Sequence, residues 1–166
     1  ITLDLSKTEG KKTFLKMIAK SDVILENLVP GAMKRLGLDY PIIKQHNPAI
    51  VYAAISGFGQ SGPYHNKAAL DVIVQGMGGV LSITGEPDGP PIRPGVSQGD
   101  ITAGLFAVIG ILSALQERNR SGLGQMVDIG MLDCQVAILE NAFTRYFTTG
   151  DIPKPLGTRH PVIAPF

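Results

Sequence analysis

Short apolar runs separated by helix-length stretches are the feature that most limits what this chain can become. Ile1–Leu5 (ITLDL) alternates like a strand, and Thr8–Lys20 places Phe14, Leu15, Met17 and Ile18 on one helical face. Asp22–Glu26 (DVILE) has the composition of a buried strand. Pro30 suits the first turn of a short helix that Gly37 ends, and a second short helix, Tyr40–His46, stops before Asn47-Pro48. Ile50–Ser56 (IVYAAIS) is the clearest strand of all. Strand, helix, strand, helices, strand is the rhythm of parallel pairing, because parallel neighbours need a crossover and a helix supplies it. The expectation is an α/β fold in which Ile1–Leu5, Asp22–Glu26 and Ile50–Ser56 are neighbours in one mainly parallel sheet.

The second half continues with fewer breaks. Asp71–Leu81 reads as a helix despite its glycines, and Thr84–Gln98 (TGEPDGPPIRPGVSQ) as a loop. Asp100–Arg118 is a helix apolar all round until its basic end, which predicts burial inside a larger body. Gln125–Ile129 is a short strand and Gly130–Phe147 a last helix, followed by a proline-rich tail. The longest apolar run, Ala103–Leu115, is too short and too rich in glycine and serine to predict a membrane span.

At 166 residues, 44% hydrophobic and 17% charged, the chain has the size and composition of one folded domain, not of a disordered segment. A net charge of +1 offers no bulk attraction to nucleic acid or to an anionic membrane, so neither is expected as a partner. The single cysteine, Cys134, suits a reducing compartment, and a soluble, cytoplasmic protein is the expectation. With Ile at position 1 and no leader pattern, the chain reads as a piece of something longer.

Several residue groups compete for a chemical role. Gly57, Gly59 and Gly62 spell GxGxxG after a strand, the letters of a dinucleotide fingerprint. That fingerprint needs a helix to begin at once so that its amides hold the pyrophosphate. Pro63, Tyr64, His65 and Asn66 follow instead, which favours a glycine-rich turn. His46, His65 and His160 lack metal-ligand spacing, so no metal site is expected. Cys134, inside a helix with no basic neighbour, reads as buried and inert. Asn27–Leu38 follows a strand and opens a helix; it is either a solvated surface helix or, with Lys34 and Arg35, a phosphate cradle. Asp100 sits between the Gly/Pro loop and the apolar helix. It is either an N-cap bonded to the amides of Thr102 or Ala103, or an ionised nucleophile facing a cleft that Gly99 and Gly104 leave open.

Six strings in order resemble the class III CoA-transferases, the family of formyl-CoA transferase and the carnitine CoA-transferases, to which α-methylacyl-CoA racemase is related. They are LDLSKTEG at Leu3, DVILENLVPGAMKRLGL at Asp22, NPAIVYAAISGFGQSGPY at Asn47, LDVIVQGMGGVLSITGEPDGPPIRPG at Leu70, GDITAG at Gly99 and RSGLGQMVDIGMLD at Arg120. The resemblance implies a Rossmann-like sheet, with residues 1–149 part of a large domain and 150–166 a linker towards a small one. It also implies a homodimer of two interlocked chains, in the cytoplasm, or in mitochondria or peroxisomes in a eukaryote.

Residue by residue, the resemblance makes Asp100 the catalytic aspartate. It places CoA contacts at Leu3, Asp4, Leu5 and Ser6, at Asn27, Leu28 and Val29, at Arg35, and at Ala68, Ala69, Leu70 and Asp71. No permanently bound cofactor and no metal is implied; acyl-CoA and a carboxylic acid are the substrates, joined through an aspartyl-CoA thioester. The related racemases carry a histidine base where this chain has Leu70, and a leucine cannot abstract a proton. Transfer is therefore the expected reaction. The alternatives are a racemase using another base, a non-catalytic fragment and, more distantly, an NAD-binding oxidoreductase.

Overall fold

The structure, a computed structural model, describes residues 1–165. Its centre is a three-stranded parallel sheet of β1 (Val23–Glu26), β2 (Val51–Ser56) and β3 (Met126–Gly130), in the order β1-β2-β3. Leu25 pairs with Ala53, and Ile55 with Ile129. The middle strand is covered on both faces, which is why its sequence is continuously apolar instead of alternating.

Each face of β2 serves a different core. Tyr52 and Ala54 face a cluster with Ile18, Ile24, Met33, Leu38, Ile43 and Ile50. Ile18, Met33 and Ile43 come from α1 (Thr8–Ile18), α2 (Ala32–Leu36) and α3 (Tyr40–His46). Ile55 faces the other cluster, of Val74, Ala103, Met131 and Cys134. That side is built by α4 (Asp71–Met77), α5 (Gln98–Ser121) and α6 (Met131–Ala137); α7 (Asn141–Thr149) follows. The short helices α2 and α3 thus carry the β1-to-β2 crossover, and α4 and α5 the β2-to-β3 crossover.

The long helix α5 is held to the sheet near its C-terminus and in its middle. Near its C-terminus, Arg118 Nη2 pairs with Asp22 Oδ1 at 3.0 Å, and Nη1 donates to the Asp22 and Ala49 carbonyls at the entries to β1 and β2. In the middle, Gly110 lies against Val127 of β3: a Cβ there would come within 2.6 Å of Val127 Cγ1. Its outer face is apolar and open, with Ile101, Leu105, Val108, Ile109 and Leu112 at 50–61% exposure. The all-round burial expected of this helix is therefore absent within the described residues. At 24 residues it is also longer than the apolar run suggested, and long and apolar enough to cross a membrane, although here it packs along the sheet.

Four expectations need correction. Ile1–Leu5 is not a strand: the segment turns where the Asp4 carboxylate accepts from the Ser6 amide and hydroxyl, and the carbonyl of Asp4 sits against Gly10 of α1. The helix from Asp71 ends at Met77, with Gly78 packed on Gln135, and only a 3₁₀ turn at Leu81–Ile83 follows. The last helix is two, broken at Ile138–Glu140, where Glu140 takes a left-handed φ of 46° without a glycine or proline to announce it. Finally, α5 starts two residues before Asp100. Residues 150–165 contain no helix or strand; Phe166, the end of the expected linker, lies outside the described residues.

The Gly110 contact makes a stability prediction. Gly110→Ala should destabilise the fold by about 1–3 kcal/mol in urea unfolding, the usual cost of overpacking. Adding Val127→Ala should recover part of that loss. Wild-type stability in the single variant would mean that α5 does not rest on β3 as described.

Candidate active site

The carboxyl ends of parallel strands are where open α/β sheets place their ligand sites, because the crossovers leave a crevice there. All three strand ends meet such a crevice here. Asn27 follows β1, Ser56 and Gly57 close β2, Met131 follows β3, and all line a cavity of about 460 Å³. The first turns of α4 and α5 add Asp71 and Asp100, and the loop before α5 adds Arg93 and Ser97.

Of the residues singled out from the sequence, Asn27, Leu28, Val29, Ala68, Ala69, Leu70, Asp71 and Asp100 share this cavity. Leu3, Asp4, Leu5, Ser6 and Arg35 do not line it. Leu5 instead packs against the α1 side of the core. Arg35 Nη1 donates to the Pro30 carbonyl at 3.1 Å, so it braces the Asn27–Pro30 turn from behind. A second hollow of about 440 Å³, which includes Lys34, Tyr52, His65 and Asn66, shares Leu28, Val29 and Pro30 with the first.

The Asn27 turn is held from both sides. Asn27 Nδ2 donates to the Ile55 carbonyl at 2.9 Å, and the Leu28 amide donates to Glu26 Oε2 at 2.8 Å. The Ala32 amide donates to the Val29 carbonyl. Two amides that a phosphate cradle would have used are thus already engaged, and α2 has only five residues.

The glycine triplet is a turn, as its proline suggested. Gly59 and Gly62 have φ of 79° and 84°, and no helix begins between Gly57 and Asp71. The Gln60 amide donates to both Asp128 carboxylate oxygens, tying the turn to β3. Gly57 permits close packing on Ala69, since a side chain there would collide with the Ala69 Cβ. The dinucleotide geometry is absent.

Two aspartates on the cavity have opposite environments. Asp100 is the third residue of α5 and exposed, and its carboxylate makes no hydrogen bond within the described residues. It does not cap the helix: Ser97 holds the cap position, itself without a side-chain cap bond.

Asp71 is saturated with donors. Its Oδ1 accepts from the Gly99 amide at 2.8 Å, and both oxygens accept from Gln75 Nε2 at 2.8 Å. Arg93 reaches Oδ2 through Nη2 at 3.0 Å and Nε at 3.3 Å, and Nη2 continues to Ser97 Oγ at 3.2 Å. Burial pushes the Asp71 carboxyl up, but the bonds from Gln75, Arg93 and Gly99 and the Arg93 charge outweigh it and hold it below the usual carboxylate range.

Gly99 is small for this contact. A Cβ there would press on Val74 Cγ2 and Asp71 Oδ1 at 2.8 and 2.9 Å, so it does not serve the ligand access expected of it; Gly104 does face open space. Behind it, the fully buried Gln135 donates to Thr102 Oγ1 at 2.8 Å, adding a bond from α6 to the start of α5. Cys134 is buried beside Asp133, and burial raises its thiol pKa, consistent with an inert residue.

Asp71 also sets an acid sensitivity. A native pKa below the unfolded one contributes stability that is full above about pH 4. That contribution drains away as the pH falls through the lowered native value. Asp71→Asn should therefore be less stable at neutral pH and show a shallower loss on acidification, measured by urea unfolding between about pH 6 and pH 2. Parallel pH profiles for variant and wild type would contradict the ionised Asp71.

The chain matches a model of CoA-transferase family III over residues 1–166. It is 44% identical over its whole length to acetyl-CoA:oxalate CoA-transferase of Acetobacter aceti, covering 43% of that protein. It is 43% identical to succinate–glutarate CoA-transferase of Agrobacterium fabrum, again over all of this chain and 42% of the relative. Its fold superposes on the crystal structure of a CAIB/BAIF family protein from Brucella suis with a TM-score of 0.94 and 43% identity, covering 100% of this chain and 44% of that one. The chain thus spans about two fifths of the length of these relatives. A match that runs from the first residue to the last, with the fold to accompany it, means that the chain belongs to CoA-transferase family III.

Proposed function

We propose that the protein moves CoA from an acyl-CoA to a carboxylic acid, and that Asp100 carries the CoA between them. The observation that supports this most directly is the state of the two cavity aspartates. Asp71 has its oxygens bound by protein donors, whereas the Asp100 carboxylate has no hydrogen bond among the described residues and is open to the cavity. A free anion at a helix N-terminus is a competent nucleophile.

The steps balance without a proton or a redox change. An Asp100 oxygen attacks the thioester carbonyl, and the C–S bond breaks to give a mixed anhydride and CoA thiolate. The thiolate attacks the aspartyl carbonyl, and the donor acid leaves as a carboxylate, so that Asp100 holds CoA as a thioester. An acceptor carboxylate attacks that thioester, forming a second anhydride and releasing thiolate. Attack of the thiolate on the acceptor acyl carbon then restores the Asp100 carboxylate. Thioester energy is conserved throughout, provided water is kept from the anhydrides.

The two hollows suit a long substrate. With the thioester at Asp100, the rest of CoA would cross the Asn27–Pro30 turn towards Lys34, with Arg35 bracing that turn. Leu70, exposed at the cavity edge where a racemase would need a base, argues for transfer over racemisation. The open apolar stripe of α5 fits burial against more protein, either the rest of a longer chain or a second chain of an interlocked dimer.

Asp100→Asn in the full-length protein tests the proposal. The amide keeps the shape but cannot form the anhydride. Turnover should fall by on the order of 10³-fold or more, while stability should change by no more than the ~0.3–1 kcal/mol of a first-turn charge. A folded variant with near-normal transfer activity would exclude Asp100 as the CoA carrier.

A further inference from the structure

We propose that Asp71 is a positioning residue for Asp100. Its carboxylate grips the first turn of α5 through the Gly99 amide and the approach to that turn through Arg93. It thereby sets where the Asp100 carboxylate stands in the cavity. The inference rests on the proposed role of Asp100 and extends it to a residue that is itself no nucleophile.

Three observations carry it. The Asp100 side chain has no protein hydrogen bond within the described residues, so its place is dictated by the backbone that bears it. That backbone lacks a cap from Ser97; the Gly99 amide is instead satisfied at 2.8 Å by Asp71, from the first turn of a different helix. The contact is tight: with a Cβ at Gly99 it would not fit, and Val74 closes the other side. Because Gly99 and Asp100 are consecutive in one helical turn, fixing one fixes the direction of the other.

The same carboxylate keeps Arg93 occupied. Arg93, Asp71 and Asp100 all line the cavity, yet the guanidinium bonds to Asp71 Oδ2 and Ser97 Oγ, and no ion pair joins it to Asp100 among the described residues. Asp71 thus neutralises a cation that would otherwise be free to pair with the nucleophile and blunt it. Gln75, fully buried and donating to both Asp71 oxygens, orients that carboxylate from below.

Asp71→Ala and Asp71→Asn in the full-length protein, compared with wild type and Asp100→Asn, test the proposal. For Asp71→Ala, kcat should fall by about 10²-fold, the scale of an ångström misplacement, with the KM for acyl-CoA within about threefold of wild type. Amide exchange over residues 98–103 should accelerate. Asp71→Asn keeps an acceptor for Gly99 but loses the charge opposite Arg93, and should be intermediate, about tenfold down; it also decides the matter if the alanine variant does not fold.

A folded Asp71 variant with wild-type kcat, or with exchange over 98–103 unchanged, overturns the positioning role. A loss confined to KM overturns it too, making Asp71 a substrate contact. Transfer that persists in Asp100→Asn strikes instead at the proposed function, and that arm is read independently of the Asp71 variants.

Discussion

The bond from Asp71 to the Gly99 amide joins the two helices that enter the cavity. Without it, the start of α5 would carry an unsatisfied amide at the end of a long Gly/Pro loop. With it, the loop, the helix start and the strand ends meet in one place. The partners follow from that contact: Gly99 for lack of a side chain, Arg93 for charge, Gln75 for orientation, Thr102 and Gln135 for a second attachment of the same turn. At the far end of α5, the Arg118–Asp22 pair ties the helix to the entry of β1, at the opposite end of the strands from the cavity. A helix held at both ends is a rigid mount for the side chain proposed to react, and rigidity of this kind is what converts proximity into rate.

The two aspartates proposed to divide the work stand in opposite environments. Both sit in first turns of helices and both line the cavity. Four donor groups converge on Asp71, leaving it a low-energy anion with its lone pairs engaged, a poor nucleophile. None bonds Asp100. In the proposed mechanism, a carboxylate that attacks a carbonyl, becomes an anhydride and re-forms gains from having no hydrogen bond to break at each step.

Much of this was legible in the residues. The strands β1, β2 and β3, the helix Tyr40–His46 and the loop before α5 stand where apolar runs, prolines and glycines put them. Pro63 and the polar run after it separated the GxGxxG letters from a dinucleotide site. The failures have physical causes. Ile1–Leu5 alternates like a strand, but a local bond from Ser6 to Asp4 competes for the backbone. The break at Glu140 has no glycine or proline to signal it. A helix start at Asp100 leaves the cap and the nucleophile equally open for that residue; Gln98 and Gly99 belong to the helix because Asp71, distant in sequence, satisfies the amide of Gly99. The Asp71–Arg93–Gln75 cluster was likewise invisible to local pattern. Its one sequence signal was the Asp71/Gln75 spacing of one helical turn.

The claim on which the chemistry turns is that CoA becomes covalently bound to Asp100. Full-length protein mixed with acyl-CoA in the absence of acceptor, quenched and digested, should yield the peptide containing Asp100 heavier by CoA less one water, and hydroxylamine should release the CoA and leave the aspartyl hydroxamate. The same adduct on Asp71 or another carboxylate, or steady transfer without any adduct, would contradict it.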